Sequence, residues 1–223
     1  DVTVCRLPRV PWAPSDDAFL VVATDTIHRR VQAMVRREVR ATEMCTVVDM
    51  TGGLAKIDVQ GPSSKAVLPF LDDLPFRGVA SVNIDRCASV VAARLTYVGE
   101  RGYELFVPCE HAMDVHDTIV ERGKPHGLRH VGLKAVNSLR LEKGYRDFGH
   151  DIDNLDGAHD VGNSGHHALN RLSEGLKGLG VLAVQVELDL LLLAATATPS
   201  NPHLGAGHLW HLGFRIFDDL SAG

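Results

Sequence analysis

The stretch TYVGERGYEL, residues 96–105, predicts two strands joined by a tight turn. Gly99 and Gly102 bracket the turn, and residues 103–107 are predicted to form a strand with Tyr103, Leu105 and Val107 on one face. Residues 89–96 are rich in β-branched and other apolar side chains, as expected of the partner strand. This part of the chain therefore predicts an antiparallel hairpin.

Helical and extended patterns alternate on both sides of the hairpin. Apolar residues recur at helical spacing in four segments, and short apolar runs between them are typical of strands. This mixture of antiparallel strands and helices predicts an α+β fold. Helices are predicted at residues 27–39, in the segment that follows Gly61-Pro62-Ser63, and at residues 110–122 and 132–143; further strands are predicted at residues 2–4, 19–23, 46–49 and 54–59.

Glu104 is the residue of the hairpin that needs a chemical explanation. In a strand, Glu104 and Phe106 share one face, and a carboxylate between apolar neighbours is costly unless a group donates a hydrogen bond to it. One interpretation is a pterin, whose amino group and ring N–H present two parallel donors to a carboxylate. Tyr97, across the turn, could contact the same ring. The alternative is an ion pair with an arginine such as Arg94 on a solvated sheet face.

The charge of the chain changes near residue 150. Residues 1–150 contain 20 Lys and Arg against 19 Asp and Glu, whereas residues 151–223 contain 3 against 9. Histidine and glycine are also enriched in the second part. The net charge of −5 over 223 residues argues against nucleic-acid binding, which requires a basic surface. The shift in composition predicts that two different segments meet near residue 150.

Neither a metal site nor a membrane span is predicted. The apolar stretch at residues 179–197 contains Glu187 and Asp189, and each acid would cost about 2.5–3.5 kcal/mol at the centre of a bilayer. The chain begins with Asp rather than Met, which predicts a fragment or a processed piece. The scattered cysteines are predicted to be reduced thiols: Cys5, Cys45, Cys87 and Cys109. The histidines after residue 160 are not predicted to converge on a metal ion: His166, His167, His203, His208 and His211.

Two motifs together carry a family resemblance. The string YVGERGYE at residues 97–104, followed by VGLKAVNSLRLEKGY at residues 131–145, resembles the aminomethyltransferase family. This family comprises the glycine-cleavage T-protein and the folate-binding domains of dimethylglycine and sarcosine dehydrogenases, and the details more closely resemble the dehydrogenase branch. The likeness implies an aminomethyltransferase-like folate-binding domain over residues 1–154, N-terminally incomplete, with antiparallel sheets flanked by helices. Residues 155–223 are then an atypical tail that does not resemble the family.

The resemblance also implies which residues form the site. Glu104 matches the pterin-binding carboxylate of the family, and Tyr97 matches the aromatic residue before the turn. Tyr145 matches an aromatic residue that faces folate, and Asp1 matches the catalytic acidic residue held near the reacting nitrogens. Val136 stands where the T-protein branch has a folate-contacting arginine, and this difference favours the dehydrogenase branch.

The activity implied by the resemblance is folate-dependent one-carbon transfer. The domain would capture a one-carbon unit from an iminium derived from an N-methylamine, as 5,10-methylene-tetrahydrofolate. The FAD-dependent oxidation of the amine would belong to a separate flavin domain, in cis or in trans, because this chain lacks a flavin-binding segment. Two alternatives stay open: a glycine-cleavage aminomethyltransferase, and a non-catalytic regulatory or binding module on the same scaffold. The expected location is the mitochondrial matrix in a eukaryote and the cytoplasm otherwise.

Overall fold

The computed structural model describes residues 2–13, 18–24, 27–39, 45–147, 150–151, 153 and 155, and three later strand segments. The predicted mixture of helices and antiparallel strands is confirmed. The strands are β1 (Val2–Arg6), β2 (Ala18–Ala23), β3 (Cys45–Asp49), β4 (Leu54–Gln60), β5 (Val79–Ile84), β6 (Cys87–Ala93), β7 (Gly102–Pro108), β8 (Arg129–His130), β9 (Ala183–Glu187), β10 (Leu191–Ala197) and β11 (Arg215–Phe217), and the helices are α1 (His28–Glu38), α2 (Ser64–Val67), α3 (Ala112–Gly123) and α4 (Leu133–Glu142).

The described strands form two sheets. The first sheet has the order β11-β1-β2-β10-β3, and the second has the order β5-β6-β7-β4-β9-β8. All neighbouring strands are antiparallel except the pairs β1–β11 and β8–β9. The predicted hairpin is β6–β7, in which Ala93 is opposite Glu104. The second sheet thereby places Glu104 on an interior strand, between β6 and β4.

Both faces of β7 are packed, because its side chains alternate between two cores. Tyr103 and Leu105 belong to the core that contains residues of α2 and α3. Phe106 projects to the other side, where it shares a core with Leu20 and Val22 of the first sheet. The face that carries Glu104 is therefore directed toward the first sheet.

Helix α1 covers the opposite side of the first sheet. Its buried residues Val31 and Val35, four positions apart, pack against Val4 and Val21 of β1 and β2. Its arginines on the outer side are exposed. The first sheet is thus enclosed between α1 and the second sheet, which gives a layered α+β architecture.

Helix α4 buries different residues from those expected. The apolar spacing predicts Leu133, Val136 and Leu139 on the inner face, but Leu133 is 66% exposed. Val136 and Arg140 are the buried residues of the helix. Leu133 is the first residue of the helix and lies at its exposed end. Arg140, four residues after Val136, is buried instead and is held there by hydrogen bonds to polar partners.

Three segments from the C-terminal part lie in the sheets. Strand β9 pairs with β4, β10 lies between β2 and β3, and β11 pairs with β1. The apolar residues 191–193 are thus part of β10. No helix within the described residues is long and apolar enough to cross a membrane. Asp1 and the histidines His166, His167, His203, His208 and His211 lie outside the described residues, and the domain division at residue 154 stays a prediction.

Candidate functional site

Polar side chains occupy one face of β4 and β7. Residues that are directly opposite in an antiparallel pair project to the same side. Asp58 is opposite Glu104, and Gln60 is opposite Gly102, whereas Lys56 is opposite the buried Phe106. Because Phe106 faces the first sheet, these polar side chains also lie on the face directed toward that sheet. We call Lys56, Asp58 and Glu104 the charged cluster.

The charged cluster is largely shielded from water. The Lys56 Nζ atom lies 3.1 Å from Asp58 Oδ2 and 3.6 Å from Glu104 Oε1, and the side chain of Glu104 is 12% exposed. Arg94, the partner considered in the sequence analysis, instead donates a hydrogen bond of 2.7 Å to the Leu74 carbonyl. The ammonium of Lys56 lies between the two carboxylates, and the oxygens of these carboxylates can accept hydrogen bonds from a ligand that carries N–H donors.

The thiol of Cys5, on the first sheet, lies within the electrostatic influence of Glu104. Burial raises the pKa of Cys5 to about 12, and the negative charge of Glu104 makes a smaller contribution in the same direction. Cys5 lies on β1, in the same core as Phe106. The electrostatic influence of Glu104 therefore extends from the second sheet to the first.

A buried acceptor lies two positions along the strands from Asp58 and Glu104. The Gln60 Oε1 and Thr96 Oγ1 atoms are buried and have no hydrogen-bond partner among the described residues. A Cβ added to Gly102 would lie 1.9 Å from Gln60 Oε1, so the glutamine side chain occupies the space that glycine leaves. A buried acceptor without a donor costs about 1–3 kcal/mol. This arrangement is typical of a site where a ligand or an ordered water donates the missing bond.

The second group of candidate residues surrounds Arg140. The Arg140 side chain is only 4% exposed, and the centre of its guanidinium lies 5.9 Å from the centre of the Tyr97 ring. Its Nη1 donates to the Tyr145 carbonyl at 3.0 Å and to the carboxylate of Asp151. Its Nε donates to Asn137 Oδ1 at 3.1 Å. One buried guanidinium thus fixes both Tyr97 and the backbone of Tyr145.

The phenol of Tyr97 stays protonated at neutral pH. Burial raises its pKa, and the negative charge of Asp147, whose carboxylate accepts a hydrogen bond from the hydroxyl, raises it further. The positive charge of Arg140 opposes these effects but does not outweigh them. Tyr97 is therefore a hydrogen-bond donor rather than a base. Tyr145 is 37% exposed, which leaves part of its ring available for contact with a ligand.

The hairpin turn and the end of α4 are in direct contact. Gly99 has a φ of +72°, and a Cβ at this position would lie 2.5 Å from the Lys143 side chain. The Lys143 Nζ atom forms an ion pair of 2.7 Å with Glu100 Oε1. Only glycine combines this backbone conformation with so close an approach. The two sequence motifs that are far apart in the chain therefore meet at this turn.

The structure groups the predicted site residues in two places. Tyr97 and Tyr145 are grouped around Arg140, and Glu104 lies in the charged cluster. Asp1, the predicted catalytic residue, lies outside the described residues. Within the described residues there is no group of three or more His, Cys, Asp or Glu suited to hold a metal ion.

Sequence reasoning missed four residues, although the sequence contained a signal for each. Polar residues recur at every second position of the otherwise apolar stretch 54–60, which is typical of a strand with one polar face. Arg140 is four residues after Val136 and so falls on the inner face of the helix. The missed residues are Lys56, Asp58, Gln60 and Arg140.

Comparison with known proteins identifies the family of the chain. The GCVT N-terminal domain family matches residues 1–167. The 4-methylaminobutanoate oxidase (formaldehyde-forming) of Paenarthrobacter nicotinovorans is 34% identical over 152 residues, which are 66% of this chain and 18% of the oxidase. The mitochondrial sarcosine dehydrogenase of Homo sapiens is 30% identical over 165 residues, 68% of this chain and 18% of that protein.

An aminomethyltransferase of Chloroherpeton thalassium is 39% identical over 104 residues, which are 45% of this chain and 29% of that protein. The chain thus spans less than a third of the length of each of these relatives. The family match covers residues 97–104 and 131–145, the two motifs that meet at the hairpin turn, and most of the 223 residues. The chain therefore belongs to the aminomethyltransferase (GCVT) family, which has relatives among the sarcosine dehydrogenases.

Proposed function

We propose that this aminomethyltransferase-like domain binds tetrahydrofolate on the polar face of β4 and β7 and serves in a sarcosine or dimethylglycine dehydrogenase-like enzyme. The observation that carries the proposal is the largely buried carboxylate of Glu104. Gly102, two positions before Glu104 in β7, is opposite Gln60 of β4, whose Oε1 atom has no hydrogen-bond partner among the described residues. The membership of the family gives the class of ligand, and the acceptors in the structure fit its chemistry.

The residues present match the donor groups of a pterin. A carboxylate accepts two parallel N–H donors, and Glu104 is held in place for this by the ammonium of Lys56. Gln60 Oε1 is a further acceptor on the same face. When bound, tetrahydrofolate supplies the nitrogen nucleophiles that take up the one-carbon unit. Among the described residues, Glu104, Gln60, Tyr97 and Tyr145 would hold it.

The chain itself contributes orientation and control of protons. The hydroxyl of Tyr97 is protonated and donates to the carboxylate of Asp147, so Tyr97 offers the ligand mainly its ring and leaves proton removal to another group. Arg140 fixes Tyr97 and the Tyr145 backbone. Following the family resemblance, we assign proton transfer at the reacting nitrogens to Asp1. Holding the nucleophile against the electrophile lowers the entropic cost of the reaction.

Val136 supports the dehydrogenase branch over the glycine-cleavage branch. The side chain is 8% exposed on the inner face of α4, at the position where the family resemblance implies a folate-contacting arginine in the glycine-cleavage branch. A buried valine offers no hydrogen bond at this place, so the tail of folate would be held differently. In this proposal a flavin domain, in cis or in trans, forms the iminium, and this chain receives the one-carbon unit.

Titration of the chain with tetrahydrofolate tests the proposal. Isothermal titration calorimetry should show saturable binding of tetrahydrofolate at micromolar concentrations, and the Glu104→Gln variant should bind more weakly. Absence of saturable binding to the folded chain would contradict the proposal. In the presence of a flavin dehydrogenase domain, methyl-labelled sarcosine should transfer its label to folate. Transfer only from an aminomethyl group derived from glycine would instead support the glycine-cleavage alternative.

A further inference from the structure

Two histidines outside the candidate folate site face each other across α3 and β8. The Nε2 atom of His116 lies 3.0 Å from the Nε2 atom of His130, and the ring planes are tilted by 33° with centroids 5.2 Å apart. Two neutral imidazoles at this distance are satisfied by one N–H···N hydrogen bond, and they can instead share a cation when both nitrogens present lone pairs. The pair therefore offers two imidazole nitrogens that a cation could bridge in place of the proton.

The backbone holds the two histidines together. They are 14 residues apart, and the chain reverses between them at Gly127, which has a φ of +73°. The N–H of Leu128 donates to the Gly123 carbonyl at 3.1 Å, and the Leu128 side chain packs where a Cβ of Gly123 would lie. His130 is then fixed in β8, which pairs with β9.

A carboxylate orients one of the two rings. Asp117 Oδ1 lies 3.0 Å from His116 Nδ1, so this carboxylate accepts the Nδ1–H and leaves the Nε2 lone pair of His116 directed at His130. A carboxylate or carbonyl on the second nitrogen is the usual companion of a metal-binding histidine, because it fixes the tautomer and increases the basicity of the ring. Asp117 is thus in position to support a ligand rather than to be one.

The distance between the nitrogens is close to that of a metal site. Two nitrogens bound to one tetrahedral Zn²⁺ at about 2.0–2.1 Å are about 3.3 Å apart. The observed separation of 3.0 Å requires only a small opening of the two rings. His130 is exposed, so water can reach the remaining coordination positions.

We propose that His116 and His130 form a two-imidazole site for a divalent cation such as Zn²⁺ or Cu²⁺, with Asp117 as the positioning residue of His116. No third protein ligand completes the site within the described residues, so water occupies the other positions. The site is independent of folate binding, because its residues lie on α3 and β8 and not in the charged cluster. A bound cation would connect α3 to β8 through the side chains of His116 and His130.

Metal binding to the full chain tests the site. Calorimetric titration with Zn²⁺ should show one more bound ion in the wild type than in His116→Ala or His130→Ala. The Asp117→Asn variant should retain that ion with an affinity about 10-fold lower, at the lower end of the 10–100-fold range for residues that orient metal ligands. His28→Ala, which removes an imidazole from α1, is the matched control and should bind as the wild type does.

Pulsed electron paramagnetic resonance with Cu²⁺ gives a second measurement that does not depend on counting ions. The wild type should contain a component with two coupled imidazoles, and each single histidine variant should retain only one. Circular dichroism of the metal-free variants verifies that they are folded. Equal Zn²⁺ stoichiometry and equal Cu²⁺ spectra in the wild type and both histidine variants would overturn the proposal.

Discussion

Glu104 on β7 is the direct cross-strand partner of Asp58 on β4. Like charges in this relationship destabilise a sheet, and here both carboxylates approach the ammonium of Lys56. Two apolar residues at these positions would therefore destabilise the folded sheet less than the two acids do. Such a local conflict in a largely buried part of the sheet is expected where a site needs acceptors for a ligand.

Replacement of Glu104 by glutamine should weaken tetrahydrofolate binding by about 1.5–3 kcal/mol, the range for a hydrogen bond to a charged group. The amide keeps the size of the side chain but replaces one acceptor oxygen by a donor. Calorimetric titration measures the loss, and thermal unfolding should show a folded protein. Glu121→Gln, on the exposed side of α3, is the matched control. An unchanged dissociation constant would remove Glu104 from the site.

The Gly102→Ala variant should separate binding from folding. The added Cβ would displace the end of the Gln60 side chain, which can rotate away, so the loss of stability should be small while the acceptor Oε1 leaves its place. Folate affinity should fall although the melting temperature changes little. Gly52→Ala, where a Cβ meets nothing within 4 Å, is the control and should leave folate affinity unchanged. Equal affinity of the two variants would show that Gln60 takes no part in binding.

Truncation of Arg140 to alanine should reduce both stability and folate affinity. The change removes the donors to Asn137, the Tyr145 carbonyl and Asp151, and because water can reach these exposed residues, each lost hydrogen bond should cost about 0.5–1.5 kcal/mol. Urea denaturation measures the free energy of unfolding. Lys134→Ala, on the exposed side of the same helix, should have little effect. An Arg140→Ala variant as stable as the wild type would contradict the role assigned to this guanidinium.

The free energy of unfolding should decrease at alkaline pH because of Cys5. Its thiol has a pKa of about 12 in the folded chain against an ordinary value of 9.0, so between these values the unfolded state loses the proton first. Stability from this group is constant below pH 9 and declines above it by up to about 1.4 kcal/mol per pH unit. Cys5→Ala should have a shallower decline over this range. The same slope in both proteins would exclude Cys5 as the cause.

Limited proteolysis tests the predicted division at residue 154. If residues 155–223 are separate from the folate-binding domain, cleavage of the full chain should concentrate after about residue 155 and leave a resistant core of residues 1–150. Mass spectrometry identifies the cleavage positions. Protection of residues 183–197, which contain strands paired with β4 and β2, would contradict the division.

Local patterns predicted the hairpin well, because its strands are close in the chain and the glycines mark the turn between them. The shared face of Glu104 and Phe106 follows from strand geometry alone. The partner of Glu104 could not be predicted in this way. Lys56 reaches Glu104 only because β4 pairs with β7 in one particular register, and a register between strands so far apart depends on the packing of the whole sheet.

Arg140 illustrates a different difficulty. Helical spacing placed its position on the inner face of α4, but arginine is almost never fully buried unless it is paired. Its partners lie in the segment after the helix, at Tyr145 and Asp151, where no regular pattern predicts the path of the chain. The strand order of the first sheet could not be predicted from local patterns either, because β10, which lies between β2 and β3, comes from a distant part of the sequence.

The contact between Gly99 and Lys143 has a consequence for the motion of the domain. Since Gly99 packs directly against the Lys143 side chain, a displacement of the hairpin turn should displace the end of α4 as well. A ligand that contacts Tyr97 next to the turn and Tyr145 after the helix should therefore restrict both elements together. Hydrogen exchange of the backbone amides at residues 99–102 and 140–145 would then slow in parallel when a ligand binds.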